Sequence, residues 1–278
     1  MAIILDCFSI ILYIINEFIN NYRTIIILKQ VCRLFYNHKF DVEYDGPGHN
    51  LLKIKGVNVI SIVLDPLYNY NDILYMYKLT KITENNMYFN GRCLRQLTSL
   101  TSLTTESFTI TDYGIETLTK LTYLNMWYNK NITDSSVKKL TNLTYLDIGG
   151  SNKNITDSSI KYLTNLTYLN CESLNNVTDV GISYLTSLTH LVCNVNITDR
   201  GIINLKKLTH LDCSFCNNIT DNGLNGLHLI ELNCSDNQEI TDDSIKNMLT
   251  LKYLTCCNTK ITNESIKYLS NLIYLRRD

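Results

Sequence analysis

Residues 208–227 read LTHLDCSFCNNITDNGLNGL. Three patterns are joined in this one stretch. From Leu208 to Cys213 the fourth and sixth positions alternate with their neighbours, as the two faces of a short strand do. Thr220-Asp221 reads as a helix start, a capping hydroxyl followed by an acid that favours the positive end of the helix dipole. Leu224 and Leu227 lie three apart and share one helix face. Asn217 and Asn218 fill the loop between the two halves.

The same stretch recurs. Copies open at Leu100, Leu121, Leu143, Leu166, Leu188, Leu208, Leu229 and Leu251, spaced 20 to 23 residues apart, with a truncated copy at Leu272. Worn copies precede them at Val57 and Leu79. The step from the Ile or Val before Thr-Asp to the last Leu is eight residues in every copy, with Met248 replacing Leu once. The variation in length therefore falls between the sixth position and that Ile. Thr111, Thr133, Thr156, Thr178, Thr198, Thr220, Thr241 and Thr262 each stand where a helix cap belongs. One such unit cannot bury its own apolar residues, so neighbours must stack. The pattern predicts an α/β leucine-rich repeat solenoid over residues 57–278, with a curved parallel sheet inside and helices outside. Residues 41–56 form the junction and cap, with a turn at Asp45-Gly46-Pro47-Gly48. The stretch from Lys53 to Leu64 supplies the first strands.

Composition narrows the function. The chain has 278 residues, is 45% hydrophobic and carries a net charge of −1. That balance argues against disorder and against a general nucleic-acid binder. Ten cysteines raise the question of zinc or disulfides. Cys171, Cys193, Cys213, Cys234 and Cys256 all take the sixth position, where Met126 and Ile148 stand in earlier copies, so they read as small buried apolar residues. Cys216 completes a CxxC with Cys213 but occupies a loop slot held elsewhere by Asn129 and Asn237, and there is no second CxxC. Reduced thiols point to a cytoplasmic or nuclear setting. The sequons at Asn131, Asn142, Asn154, Asn165, Asn176, Asn196 and Asn218 are repeat grammar rather than glycosylation sites. No cofactor motif, metal site or nucleophile–base pattern emerges; His190 and His210 with Asp212 lack a third ligand.

The third, fifth and seventh positions are expected to face outward on the concave sheet. They nominate a target-binding strip of Tyr123, Trp127, Tyr145, Asp147, Tyr168, His190, His210, Asp212, Glu231, Tyr253 and Tyr274. Tyr and Trp are enriched at binding hot spots, and the acids favour basic groups on a partner. The same rings also serve as a ladder that stabilises its own sheet.

Residues 1–40 carry no repeat. The apolar run there is interrupted by Asp6 and Glu17 and is too short to span a bilayer, so no membrane segment is expected. Ile14, Ile15 and Phe18 make one apolar face, and Ile25, Leu28, Val31, Cys32 and Phe35 another. The order I-I-x-x-F, a polar turn, then I-x-x-L-x-x-V-C-R-x-F resembles an F-box. It departs from that pattern with Leu5-Asp6 at the usual Leu-Pro, Thr24 at the usual acid and Phe35 at the usual Trp. The repeats resemble the cysteine-containing leucine-rich subfamily that follows F-boxes. The whole chain thus resembles an F-box/leucine-rich-repeat protein of the kind found in large AT-rich DNA viruses. That resemblance implies docking of a Skp-type adaptor, and through it a cullin ubiquitin ligase, by Ile14, Ile15, Phe18, Ile25, Leu28, Val31 and Phe35. The repeats would hold a protein target, and the ligase chemistry would lie in other subunits. A plain repeat scaffold, with the N-terminal helices only capping the solenoid, remains as the alternative.

Overall fold

The computed structural model describes residues 40–45, 57–64, 79–84, 91–150 and 152–277. The adaptor-docking candidates Ile14, Ile15, Phe18, Ile25, Leu28, Val31 and Phe35 lie outside them. Among the described residues twelve strands form one sheet in strict chain order, each paired in parallel with the next. They are β1 Phe40–Asp45, β2 Val57–Leu64, β3 Lys81–Glu84, β4 Ser102–Thr105, β5 Tyr123–Asn125 and β6 Tyr145–Asp147. The series continues with β7 Tyr168–Asn170, β8 His190–Val192, β9 His210–Asp212, β10 Glu231–Asn233, β11 Tyr253–Thr255 and β12 Tyr274–Arg276. The first strand, β1, starts at the last residue of the stretch read as F-box-like and runs into the junction, upstream of the Lys53–Leu64 stretch that was expected to supply the first strands.

The helices are single turns: α1 Asp112–Ile115, α2 Asp134–Val137, α3 Asp157–Ile160, α4 Asp179–Ile182, α5 Asp199–Ile202, α6 Asp221–Leu224, α7 Asp242–Ile245 and α8 Asn263–Ile266. Strands and helical turns enclose one continuous core. Register places Leu103, Leu124, Leu146, Leu169, Leu191, Leu211, Leu232 and Leu254 in one column, none more than 2% exposed. Full burial of a Leu contributes about 2 kcal/mol, so this column alone is a large share of what keeps neighbours stacked.

The sixth-position column is equally buried: Met126, Ile148, Cys171, Cys193, Cys213, Cys234 and Cys256. Burial pushes the Cys171 and Cys216 thiols up to about 12, and those of Cys193 and Cys213 well above the ordinary value. At neutral pH they stay protonated and uncharged. The Cys171 thiol donates to the Val192 carbonyl at 3.1 Å, and that of Cys216 to the Ser214 carbonyl at 3.3 Å.

Polar columns join each repeat to the next. Thr133, Thr156, Thr178, Thr198, Thr220, Thr241 and Thr262 cap α2 to α8, each hydroxyl accepting the N–H two residues on. The Asp after each Thr does more than complement the dipole. Asp157 accepts the Thr178 N–H at 2.8 Å, the Thr178 hydroxyl at 2.7 Å and the Gly181 N–H at 2.9 Å, all from the following repeat. Asp112, Asp134, Asp179, Asp199, Asp221 and Asp242 grip the next Thr in the same way. Thr111 makes no side-chain cap bond, and the residue one repeat back from Asp112 is Gly91, which has no carboxylate to hold it.

A second column runs through the ascending loops. Asn129 is fully buried, and its amide donates to the Ser107 and Ile110 carbonyls of the preceding repeat at 2.8 and 2.9 Å. Asn152, Asn194 and Asn237 do the same in their repeats. Each of the four lies three residues before the repeat's conserved-slot Ile. The length variation is therefore confined between the strand and that Asn. Sequon asparagines form a third column. The side chains of Asn154, Asn176, Asn196 and Asn218 donate to backbone carbonyls one repeat back at 2.7 to 2.9 Å.

Candidate functional site

The concave face is built from residues that each strand turns away from the core. In β5 to β9 the third-position side chains stack. Tyr123 and Tyr145 have ring centroids 4.1 Å apart and nearly parallel, as do Tyr145 and Tyr168. Tyr168 meets His190 at 6.1 Å with a 35° tilt, and His190 stacks on His210 at 3.9 Å. In-register parallel strands impose this, since equivalent side chains lie one strand spacing apart, about 4.8 Å. The column then changes character. Glu231, Tyr253 and Tyr274 are exposed, and no ring stack continues among them.

Partial burial raises the Tyr145 hydroxyl, which also shares hydrogen bonds with Tyr123 and Tyr168. Burial raises Tyr168 too. Tyr145 and Tyr168 thus stay neutral at any physiological pH. His190 is held below the ordinary histidine value, first by partial burial and then by the neighbouring charge of His210, against a weaker pull from Glu231. His190 therefore favours the neutral imidazole. The hydroxyls of Thr189 and Thr209 sit 2.9 Å from Nδ1 of His190 and His210, which fixes both rings.

The fifth-position column is less uniform than the sequence suggests. Asp212 is half-buried, with its carboxylate accepting the Ser214 N–H and hydroxyl and the Asn233 amide. Asp147, nominated for target contact, is only 5% exposed. The Trp127 indole, the Asn170 amide and the Gly149 N–H all hydrogen-bond to its carboxylate, while burial pushes it above the usual carboxylate range. Trp127 lies over Gly149, where an added Cβ would sit 3.0 Å from the ring. Trp127 is thus half-buried and partly structural, and Asp147 is withdrawn from the surface beneath it. The sequence does not reveal this, because it depends on a ring from one repeat folding over the next.

Where the strands leave the sheet, the chain turns through a left-handed residue. Tyr128, Phe215, Asp236 and Asn258 have φ of 62°, 60°, 58° and 50°, and Gly150 has 89°. All stand in the eighth position of their repeats. The turn lets Tyr128, Phe215 and Asp236 donate their N–H groups to the neighbouring repeat, at 2.9 to 3.0 Å. Tyr128 is 56% exposed and Phe215 63% exposed. The outward columns alone do not nominate this rim.

The columns of β4 to β11 hold Asp147, Asp212 and Glu231, with Glu172 exposed in the seventh position, and no lysine or arginine stands in the third or fifth position there. The concave side is acidic and aromatic. Among the described residues no group of three metal-ligating side chains converges, and no helix is long and apolar enough to cross a membrane.

A leucine-rich repeat family model matches residues 117–140 and 204–227. The search of curated proteins found no match. Among solved structures, internalin C2 from Listeria monocytogenes is similar at 26% identity and TM-score 0.56, covering 66% of this chain and 83% of that one. The functional domain of InlJ from the same organism, which includes a cysteine ladder, is similar at 25% identity and TM-score 0.52. That match covers 78% of this chain and 53% of the InlJ chain. A chain of the yeast Rad7 and Elc1 complex shares the fold at 16% identity and TM-score 0.51, covering 74% and 71%. The chain is a leucine-rich-repeat protein, and its solenoid is a protein-interaction module.

Proposed function

We propose that this interaction module is the target-recognition subunit of a Skp–cullin–F-box ubiquitin ligase, holding its target on the concave face. The observation that supports a binding role is the row of partly exposed rings and acids along β5 to β10. Sealing the sheet needs only small or β-branched residues at those positions, whereas Tyr, His and Glu provide contact area and hydrogen bonds to a partner. The ligase half of the reading rests on residues 1–40, whose apolar pattern resembles an F-box and precedes the repeats in the expected order. Ile14, Ile15, Phe18, Ile25, Leu28, Val31 and Phe35 would bury against a Skp-type adaptor, and Tyr123, Trp127, Tyr145, Tyr168, His190, His210, Asp212, Glu231, Tyr253 and Tyr274 would face the target.

One observation favours the scaffold reading instead. Among the described residues the sheet begins with β1 at Phe40–Asp45, immediately after residues 1–39 in sequence. A pull-down with a purified Skp-type adaptor separates the two. The intact chain is expected to retain the adaptor, and an Ile15→Asp, Val31→Asp double variant to lose it while its repeats remain folded by circular dichroism. No retention by folded intact protein removes the ligase and leaves a capped scaffold.

A further inference from the structure

Left-handed backbone is uncommon for non-glycine residues and disfavoured for bulky ones; glycine, asparagine and aspartate tolerate it best. Three of the five eighth-position residues with positive φ obey that rule: Gly150, Asp236 and Asn258. Tyr128 and Phe215 do not. A strained residue is usually retained because its side chain is buried or used elsewhere. Phe215 is 63% exposed, so core packing does not account for it. Val195, in the ascending loop of the preceding repeat, is 50% exposed. At the other end of the stacked ladder Tyr128 stands beside Trp127, with ring centroids 5.5 Å apart. Two apolar spots, exposed Phe215 and exposed Tyr128 beside half-buried Trp127, thus mark the same rim of the solenoid, separated by the four strand steps from β5 to β9, about 19 Å.

Between and beside these spots lie exposed Glu172, half-exposed Asp212 and exposed Glu231. We infer that Phe215 and the Trp127–Tyr128 pair are two apolar anchor points for an extended, basic segment of a partner protein. Its Lys or Arg side chains face the acidic strip between them. An extended chain advances about 3.3 Å per residue, so the partner's two apolar side chains are about six residues apart. This deepens the target-binding half of the proposed function and rests on that half alone, not on adaptor docking.

The test starts from a display library of random twelve-residue peptides selected on the intact chain. Enriched sequences are expected to carry Lys or Arg between two aromatic or aliphatic residues about six apart. A fluorescein-labelled copy of the most enriched peptide then serves as the probe for fluorescence polarisation. Phe215→Asn suits the left-handed backbone, so its thermal midpoint should equal or exceed that of the parent, while affinity for the probe falls at least tenfold. Unchanged affinity in Phe215→Asn, a lowered midpoint, or a library without a basic consensus overturns the inference. A second variant, His210→Ala with Glu231→Gln, separates the two levels. If it weakens the probe and Phe215→Asn does not, the concave face binds without the rim anchor. If neither does, the concave-face reading fails as well.

Discussion

Two of the polar columns that hold this solenoid together differ in regularity. At the helix starts Asp112, Asp134, Asp157, Asp179, Asp199, Asp221 and Asp242 all grip the next repeat through the same Thr. In the ascending loops Asn129, Asn152, Asn194 and Asn237 reach back to the previous repeat, but Leu174 and Cys216 interrupt the series. The difference follows from what each column must hold. The Asp bonds tie two capped turns of identical geometry, so neither repeat can change length there without breaking its neighbour's contacts. The Asn bonds satisfy carbonyls that an apolar side chain can also shield, so the column tolerates gaps.

Regularity is not strength, and substitutions should make that visible. The largest effect is expected at Asn129→Ala. Asn129 is fully buried, donates to two carbonyls and accepts the N–H groups of Asn131 and Ile132 at 3.0 and 3.1 Å. Removing it orphans buried backbone groups and leaves a void, at a cost of about 3 kcal/mol. Urea unfolding should show the loss. Asp157→Ala comes next. It deletes three bonds, but the site is half-exposed, so water replaces part of what is lost and the cost is about 1 to 2 kcal/mol. A larger loss for Asp157→Ala than for Asn129→Ala in the same denaturant series would show that number of bonds, rather than burial, sets the strength of a column.

The smallest effect should be that of Gly181→Ser. A Cβ there would lie 2.5 Å from Asp157 Oδ1. Yet Ser159, Ser244 and Ser265 fill the same slot in other repeats and donate their hydroxyls to the equivalent aspartate oxygen. Gly181→Ser is therefore expected to cost less than about 1 kcal/mol, because it exchanges an N–H donor for a hydroxyl donor. Gly181→Val adds bulk without a donor and should cost at least as much as Asp157→Ala. Equal thermal midpoints for the Ser and Val variants would mean that this slot selects for neither size nor hydrogen bonding.

The period, the strand faces and the Thr caps were legible in the sequence because each depends on spacing within one repeat. Leu208, Leu211 and Cys213 announce a strand by their own alternation, and Thr220-Asp221 announces a cap. The Asp and Asn columns were not read in full because each bond joins residues about one repeat apart. A single Asp after a capping Thr does not say whether its carboxylate turns to its own helix or to the next. The signal was present nonetheless: Ser or Gly falls three residues after every capping Thr, and Asn falls three before the Ile in five repeats, of which all but Asn258 reach back to the preceding repeat's carbonyls. The target strip was legible as a column but not in its depth. Tyr123, Tyr145, Tyr168, His190 and His210 stack as in-register strands require, whereas Asp147 sinks beneath Trp127. The rim at Tyr128 and Phe215 was missed because handedness of the backbone leaves no periodic mark.

The constant three-residue step from Asn to Ile has a consequence for how such a chain diversifies. Everything from that Asn to the end of the helical turn is locked to its neighbours, and so is the strand. Only the few residues between strand and Asn can be lengthened, shortened or replaced without disturbing the stack. Those residues include the rim residues Tyr128 and Phe215. Folding information and recognition information thus occupy separate columns of the same repeat, and a lineage can rewrite one while leaving the other untouched.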